Sequence, residues 1–281
     1  MPLLIACSHA APPEPPASPS TPRDTALKLV WSDEFDGPAN AAPDATKWIA
    51  DVGDGCSVGI CRWGNNEKED YRDDRENVAL NGSGQLAITA RVAAPGRSCY
   101  YGACRYTSAK LTTRGLMNAA PGRVEARLKL PSGQGLWPAF WMLGSGHPTT
   151  PWPLCGELDI MENRGSQTDA TSSAVHGPNY AGGVSFNSRS SLPFGSLTSD
   201  YHVYAVEWDA NTIQFFVDTR QTFAVERSQV ESKGPWVFNQ SFYVILNLAV
   251  GGHFDGDPAS DSIFPATMLV DWVRAYRRGS T

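Results

Sequence analysis

Short apolar-rich runs, several alternating apolar with polar residues, recur along most of the chain: Gln85–Val92, Gly122–Pro131, Tyr201–Asp209, Thr212–Thr219, Phe242–Val250 and Met268–Arg277. β-Branched and aromatic residues dominate these runs, and Gly, Pro, Asn and Asp separate them. A period of two puts one face of a strand in a core and the other toward solvent or a groove, and turn-forming residues end each strand. The 3.6-residue period of an amphipathic helix is nearly absent. Many strands at short spacing with no helices between them predict an all-β chain, an antiparallel two-sheet sandwich of the β-jelly-roll kind. No internal repeat and no central linker breaks the pattern, so residues 27–281 are expected to form one domain.

One predicted strand carries charge where its neighbours carry none. In "GELDIMEN", Gly156–Asn163, three carboxylates fall within six residues. Glu157 and Asp159 are two apart and share a face. Glu162 is five from Glu157, and in a regular strand that odd offset would turn it into the core, where an unpaired carboxylate is very costly. A β-bulge adds one residue and restores the common face, so a bulge is expected at Ile160-Met161. The two Glu Cα atoms would then lie about 13 Å apart, and inward-leaning side chains would bring the carboxyl groups to about 5 Å, the separation of a retaining glycosidase. A solvated strand edge or a calcium loop is the plainer alternative for three carboxylates. Just upstream lie "GLWPAFWMLG", with Trp137 and Trp141, and the Pro/Trp-rich "HPTTPWPLCG". Aromatics beside paired carboxylates suit a sugar-binding groove.

Composition narrows the partners. The chain has 281 residues, 41% of them hydrophobic, enough for a substantial core. A net charge of −6 with no basic cluster argues against nucleic acid and anionic membranes. Nine Trp and nine Tyr exceed what a core needs. Residues 1–26 hold a short apolar run, Cys7 and a Pro/Ser/Ala tract, which reads as an extended tether. Leu4-Ile5-Ala6-Cys7 resembles the lipobox of bacterial lipoproteins, with only Met1–Ala6 before the Cys. A lipid anchor at Cys7 is the reading set against a plain tail, and a secreted, periplasmic or outer-surface bacterial location follows. Cys56, Cys61, Cys99 and Cys104 form two C-x4-C pairs without zinc-site spacing. Two disulfides are expected, with three connectivities open. Cys155 is left as a buried, inert thiol. "GCSVG" is not placed on a strand-to-helix turn, and "DGDPASD" lacks EF-hand spacing, so neither carries a site.

"GELDIMEN" together with "WPAFWMLG" resembles glycoside hydrolase family 16, and within it the bacterial laminarinase-like endo-β-1,3-glucanases. "LVWSDEFDG", "RWGNNEKEDY", "SAKLTTRG", "AVHGPNYAGG", "YAVEWDANTIQFFVD", "FYVILNLAVGG" and "MLVDWVRAYR" follow in the expected order, so the resemblance runs from Lys28 to about Arg278. It implies a jelly roll with a concave substrate cleft, a β-1,3-glucan substrate, a monomer and no catalytic cofactor. It implies Glu157 as nucleophile, Glu162 as acid/base and Asp159 as the residue between them. Asn65, Trp137, Trp141 and His176 would bind substrate. A structural Ca2+ at Glu34 and Asp271 is a further implication. Where family members often carry Asn-Trp after "AVGG", this chain has His253-Phe254, which alters the end of the cleft. Hydrolysis or transglycosylation of another polysaccharide (mixed-linkage glucan, agarose, carrageenan) is the rival within the fold, and a non-catalytic glucan-binding protein is the rival of another class.

Overall fold

The computed structural model describes residues 27–192 and 196–279. The tether at 1–26, with Cys7, lies outside them. Two sheets hold nearly every strand of a β-jelly-roll sandwich. One has ten strands, in the order Arg220–Glu226, Thr212–Val217, His202–Trp208, Gly122–Lys129, Ala266–Arg278, Leu86–Val92, Tyr106–Ser108, Glu69–Tyr71. Leu27–Asp33 also pairs with Ala266–Arg278, and Val78–Leu80 with Leu86–Val92. The other has seven: Phe186–Ser191, Ala170–His176, Glu157–Glu162, Leu136–Gly144, Phe242–Val250, Lys110–Thr112 and Ile49–Asp51. All six strands read from these runs are present. The antiparallel expectation has one exception, since Glu69–Tyr71 runs parallel to Tyr106–Ser108. Parallel neighbours need a long connection, and here it contains two more strands and the Cys99–Cys104 hairpin.

Alternation decides what each face of the seven-stranded sheet meets. On Leu136–Gly144 the side chains of Leu136, Phe140 and Met142 enter the sandwich core, while Trp137, Trp141 and Leu143 point away from it. On the neighbouring strand Phe242, Val244, Leu246, Leu248 and Val250 are core, and Tyr243, Ile245, Asn247 and Ala249 occupy the opposite face. Every residue of Phe242–Val250 is nonetheless buried. Loops rising around the sheet cover its second face, and a second apolar cluster of Leu143, Cys155, Tyr243 and Ile245 forms there against Trp141. The result is a walled, open face down the middle of the sheet.

The cysteines pair locally, Cys56–Cys61 and Cys99–Cys104. Cys155 is free and fully buried. Burial, followed by the charge of Glu157, pushes its thiol up to about 11, so it stays protonated and inert.

Candidate active site

The acidic strand is bulged where its side-chain pattern requires. Trp141 pairs with Asp159 and Phe140 with Met161, so Ile160 has no partner opposite. On the other side Asp159 pairs with Ala174 and Glu162 with Ser172. Ile160 and Met161 both enter the sandwich core, at 2% and 0% exposure. Glu157, Asp159 and Glu162 therefore all emerge on the open face. A bulge displaces ladder carbonyls, and side-chain hydroxyls from the next strand meet them: Ser173 Oγ donates to the Ile160 carbonyl at 2.9 Å and Thr171 Oγ1 to that of Glu162 at 3.1 Å. Asn163 closes the strand, its Nδ2 donating to the carbonyls of Gln167 and Ala170 at 2.9 and 2.7 Å.

His176 sits directly across from Glu157 in the ladder. Its Nδ1 accepts the Gly182 backbone N–H at 3.0 Å, which leaves the proton on Nε2. Nε2 then faces Asp159 Oδ2 at 3.0 Å and Glu157 Oε1 at 3.6 Å. Glu157, Asp159 and His176 form the one group of three potential metal ligands among the described residues, with ligand atoms within 4.8 Å of one another. The same three groups serve the acid chemistry described below.

Burial raises the proton affinity of all three acids. It pushes Glu157 well above its ordinary value, reinforced by the charge of Asp159 and opposed by His176 and Trp152. Burial carries Asp159 to about 7. Glu162 rises to about 8, first through burial and then through the charge of Asp159. Three carboxylates this close and this dry do not all ionise at neutral pH.

Each indole has a defined partner. Trp137 Nε1–H donates to Glu162 Oε1 at 3.1 Å, and its ring stacks on Phe254 at 4.7 Å between centroids. The Arg164 guanidinium lies over the same phenyl ring, 4.2 Å from its centroid. Trp141 Nε1–H donates to Asn247 Oδ1 at 2.7 Å. It belongs to the open face and not to the sandwich core. Asn65 lies in a turn whose neighbours Arg62, Trp63 and Asn66 all have positive φ. Its Nδ2 donates to Glu67 Oε1 at 3.0 Å, and its carbonyl accepts the His253 N–H at 2.9 Å. That bond joins the Asn65 turn to the His253-Phe254 segment at the cleft's end.

Asn247, Lys110 and Trp152 were not singled out from sequence, and the contact that Phe254 makes was not foreseen. Asn247 is the one polar residue in "FYVILNLAV", and Lys110 is the one cation in a buried strand, its Nζ 4.1 Å from the Trp63 centroid and 5.2 Å from that of Trp141. The isolation of Asn247 in an apolar run was an available signal, whereas Lys110 lies among Ser108, Thr112 and Thr113 and carried none. Trp152 stands 6.3 Å from His176 between ring centroids, and Phe254 stacks on Trp137. Only the folded loops reveal either contact.

Glu34 and Asp271 are committed elsewhere. Arg274 grips Glu34 through Nε at 3.0 Å and Nη2 at 2.8 Å, and Arg127 holds Asp271 at 2.6 Å. Both guanidinium groups occupy carboxylate oxygens that a calcium ion would need.

A jelly roll with two same-face glutamates on a bulged strand, an aspartate between them and indoles alongside defines a polysaccharide-cleaving glycosidase by class. Residues 65–274 match the model for glycosyl hydrolases family 16, and the chain belongs to that family. Hydrolases of this family act with retention and without a catalytic cofactor. The chain is 39% identical over 261 residues to a beta-glucanase of Rhodothermus marinus, covering 89% of this chain and 85% of the relative. It superposes with TM-score 0.85 and 38% identity on the catalytic domain of an endo-1,3-beta-glucanase (laminarinase) from Thermotoga petrophila, covering 91% of this chain and all of the other. An endo-beta-1,3-glucanase from Pyrococcus furiosus gives TM-score 0.83 at 41% identity over 91% of this chain and 96% of that one.

Proposed function

We propose that the protein is an endo-β-1,3-glucanase that cleaves laminarin-type glucans by double displacement. The observation that carries the reading is the bulge at Ile160, which puts Glu157 and Glu162 on one face beside Trp137, Trp141 and His176. Glu157 attacks the anomeric carbon as the glycosidic C–O bond breaks, and Glu162 delivers its proton to the departing oxygen. A covalent glycosyl-enzyme results. Glu162, now ionised, takes a proton from water as the water oxygen attacks the same carbon and Glu157 departs. Asp159 keeps the acid limb workable, since its charge holds the proton on Glu162. Glu157 is itself raised in the substrate-free cleft, so its ionisation precedes attack, favoured by His176 Nε2 and Trp152.

The test is reducing-sugar release from laminarin, lichenan, agarose and carrageenan, with wild type and Glu157→Gln side by side. Wild type is expected to release sugar from laminarin, and the variant to lose at least about a thousand-fold in kcat. Release from a galactan alone would overturn the substrate and keep the mechanism. Laminarin binding with no release from any polymer would point to a recognition protein.

An exported, monomeric enzyme completes the proposal, with two disulfides suited to an oxidising compartment. Cys7, the expected anchor point, lies outside the described residues. A structural Ca2+ at Glu34 and Asp271 would require release of Arg274 and Arg127. A Tm rise with added Ca2+, reversed by EDTA and absent in Asp271→Asn, is the result that would establish it.

A further inference from the structure

The open face rests on a second pair of buried acids that the reaction does not use. Glu67 and Glu69 are 5% and 1% exposed. They stand two residues apart, and the charge of Glu67 adds to burial in raising the proton affinity of Glu69; two full charges this close and this dry are not both held.

The neighbouring donors show which member keeps the proton. The Trp141 indole can only donate, and it donates to Asn247 Oδ1 at 2.7 Å. That turns Asn247 Nδ2 toward Tyr71, whose oxygen accepts at 3.0 Å. The Tyr71 hydroxyl proton is therefore directed at Glu67 Oε2, 3.4 Å away. Glu67 Oε1 accepts from Asn65 Nδ2 at 3.0 Å. With both oxygens accepting, Glu67 is the ionised member. Glu69 Oε2 accepts the Val250 N–H at 2.7 Å, while its Oε1 is buried without a donor. A proton on Glu69 Oε1, given to Glu67, satisfies that oxygen.

The surrounding charges agree with one shared proton. Lys110 Nζ lies 3.9 Å from Asp51, and Arg114 Nη2 lies 2.9 Å from the same carboxylate. Two cations face two anions, Asp51 and Glu67, once Glu69 is neutral. Tyr71 and Tyr101 are the remaining titratable groups facing the pair, and each hydroxyl proton is engaged, that of Tyr101 by the Lys68 carbonyl. Lys68 itself turns to Asp257 at 4.0 Å. Loss of the shared proton leaves one unbalanced buried negative charge.

We propose that Glu67 and Glu69 hold a single proton between them and act as positioning residues. Glu67 orients Asn65 at the rim and, through Tyr71 and Asn247, fixes the Trp141 platform in the floor. The inference rests on the glucanase reading only for its kinetic readout.

Two variants and one spectroscopic measurement test it. Tyr71→Phe removes the relay and keeps the ring; KM for laminarin is expected to rise about five-fold or more, with kcat within two-fold. In Glu69→Gln an amide N–H replaces the shared proton and the amide oxygen still accepts from Val250. Wild-type KM is expected to rise at alkaline pH as the shared proton is lost, and this variant is expected to keep wild-type kcat and KM near neutral pH without that rise. Infrared difference spectra of wild type should contain a protonated-carboxylic-acid C=O band that disappears in Glu69→Gln, and this arm needs no substrate. An unchanged KM in Tyr71→Phe, an unfolded or KM-impaired Glu69→Gln, or an unchanged infrared spectrum would each overturn the proposal. Wild type inactive on laminarin with the band lost in Glu69→Gln would overturn the substrate reading alone.

Discussion

Glu162 meets two demands that oppose one another. An acid catalyst must hold its proton near neutral pH, and burial beside Asp159 supplies that by raising it to about 8. The same burial destabilises the fold. Glu162 and Asp159 titrate near 8 and 7 when folded and near their ordinary values of about 4 when unfolded. Between those limits the folded chain binds more protons, so the stability these groups contribute is full below about pH 4 and is lost as pH rises through 7 to 8. Glu162→Gln should remove part of that slope, raise stability at pH 7 by on the order of 2 kcal/mol, and abolish most activity. Tm measured from pH 5 to 9 on both proteins checks it; parallel curves would contradict the buried, protonated state. In wild type, kcat/KM should fall as pH rises through about 8, because the acid is then ionised before substrate arrives.

At the scale of the element, the bulge is what lets an odd spacing of five keep Glu157 and Glu162 on one face. Deleting Ile160 restores a regular ladder and brings Glu162 to an even offset of four from Glu157, so both carboxylates still emerge on the open face while Leu158 and Met161 stay in the core. The deletion is expected to cost stability through the lost buried Ile160 side chain yet to retain measurable activity, because Glu157 and Glu162 keep a common face, whereas Ile160→Val, which keeps the bulge, should lose only about 0.5–1.5 kcal/mol and remain active. Urea melts and laminarin assays on the two variants separate the outcomes. The bulge could be read from the odd spacing of Glu157 and Glu162, because a buried unpaired carboxylate is costly enough to exclude the regular register. The three-residue strands Ile49–Asp51, Glu69–Tyr71 and Lys110–Thr112 could not. Three residues hold too little alternation to distinguish a strand from a loop, and their pairing is decided by neighbours far away in the chain.

For the whole molecule, the two disulfides clamp loops beside the Asn65 turn, with Cys56–Cys61 preceding it directly and the Tyr100 N–H reaching Asp54 Oδ2 at 2.6 Å. Each closes a ring of about six residues, worth about 2 kcal/mol in chain entropy. Reduction should therefore lower Tm by a few degrees per bond. Because this wall of the face carries Asn65, KM should rise under reduction while kcat changes less; a purely thermal effect with unchanged KM would show that the clamps serve stability alone.

What the sequence determined by itself was local and repetitive. Alternation of period two specified strands and their inward faces, the acidic spacing specified a bulge, and local cysteine spacing made two disulfides the expectation. Tertiary structure decided what meets across the sheets and loops. It committed Glu34 to Arg274 and Asp271 to Arg127, set Phe254 against Trp137, and joined Asn247 to both Tyr71 and Trp141. Periodicity records which face a residue takes, but partners brought together from more than a hundred residues away leave no periodic trace, and only the closed sandwich reveals them.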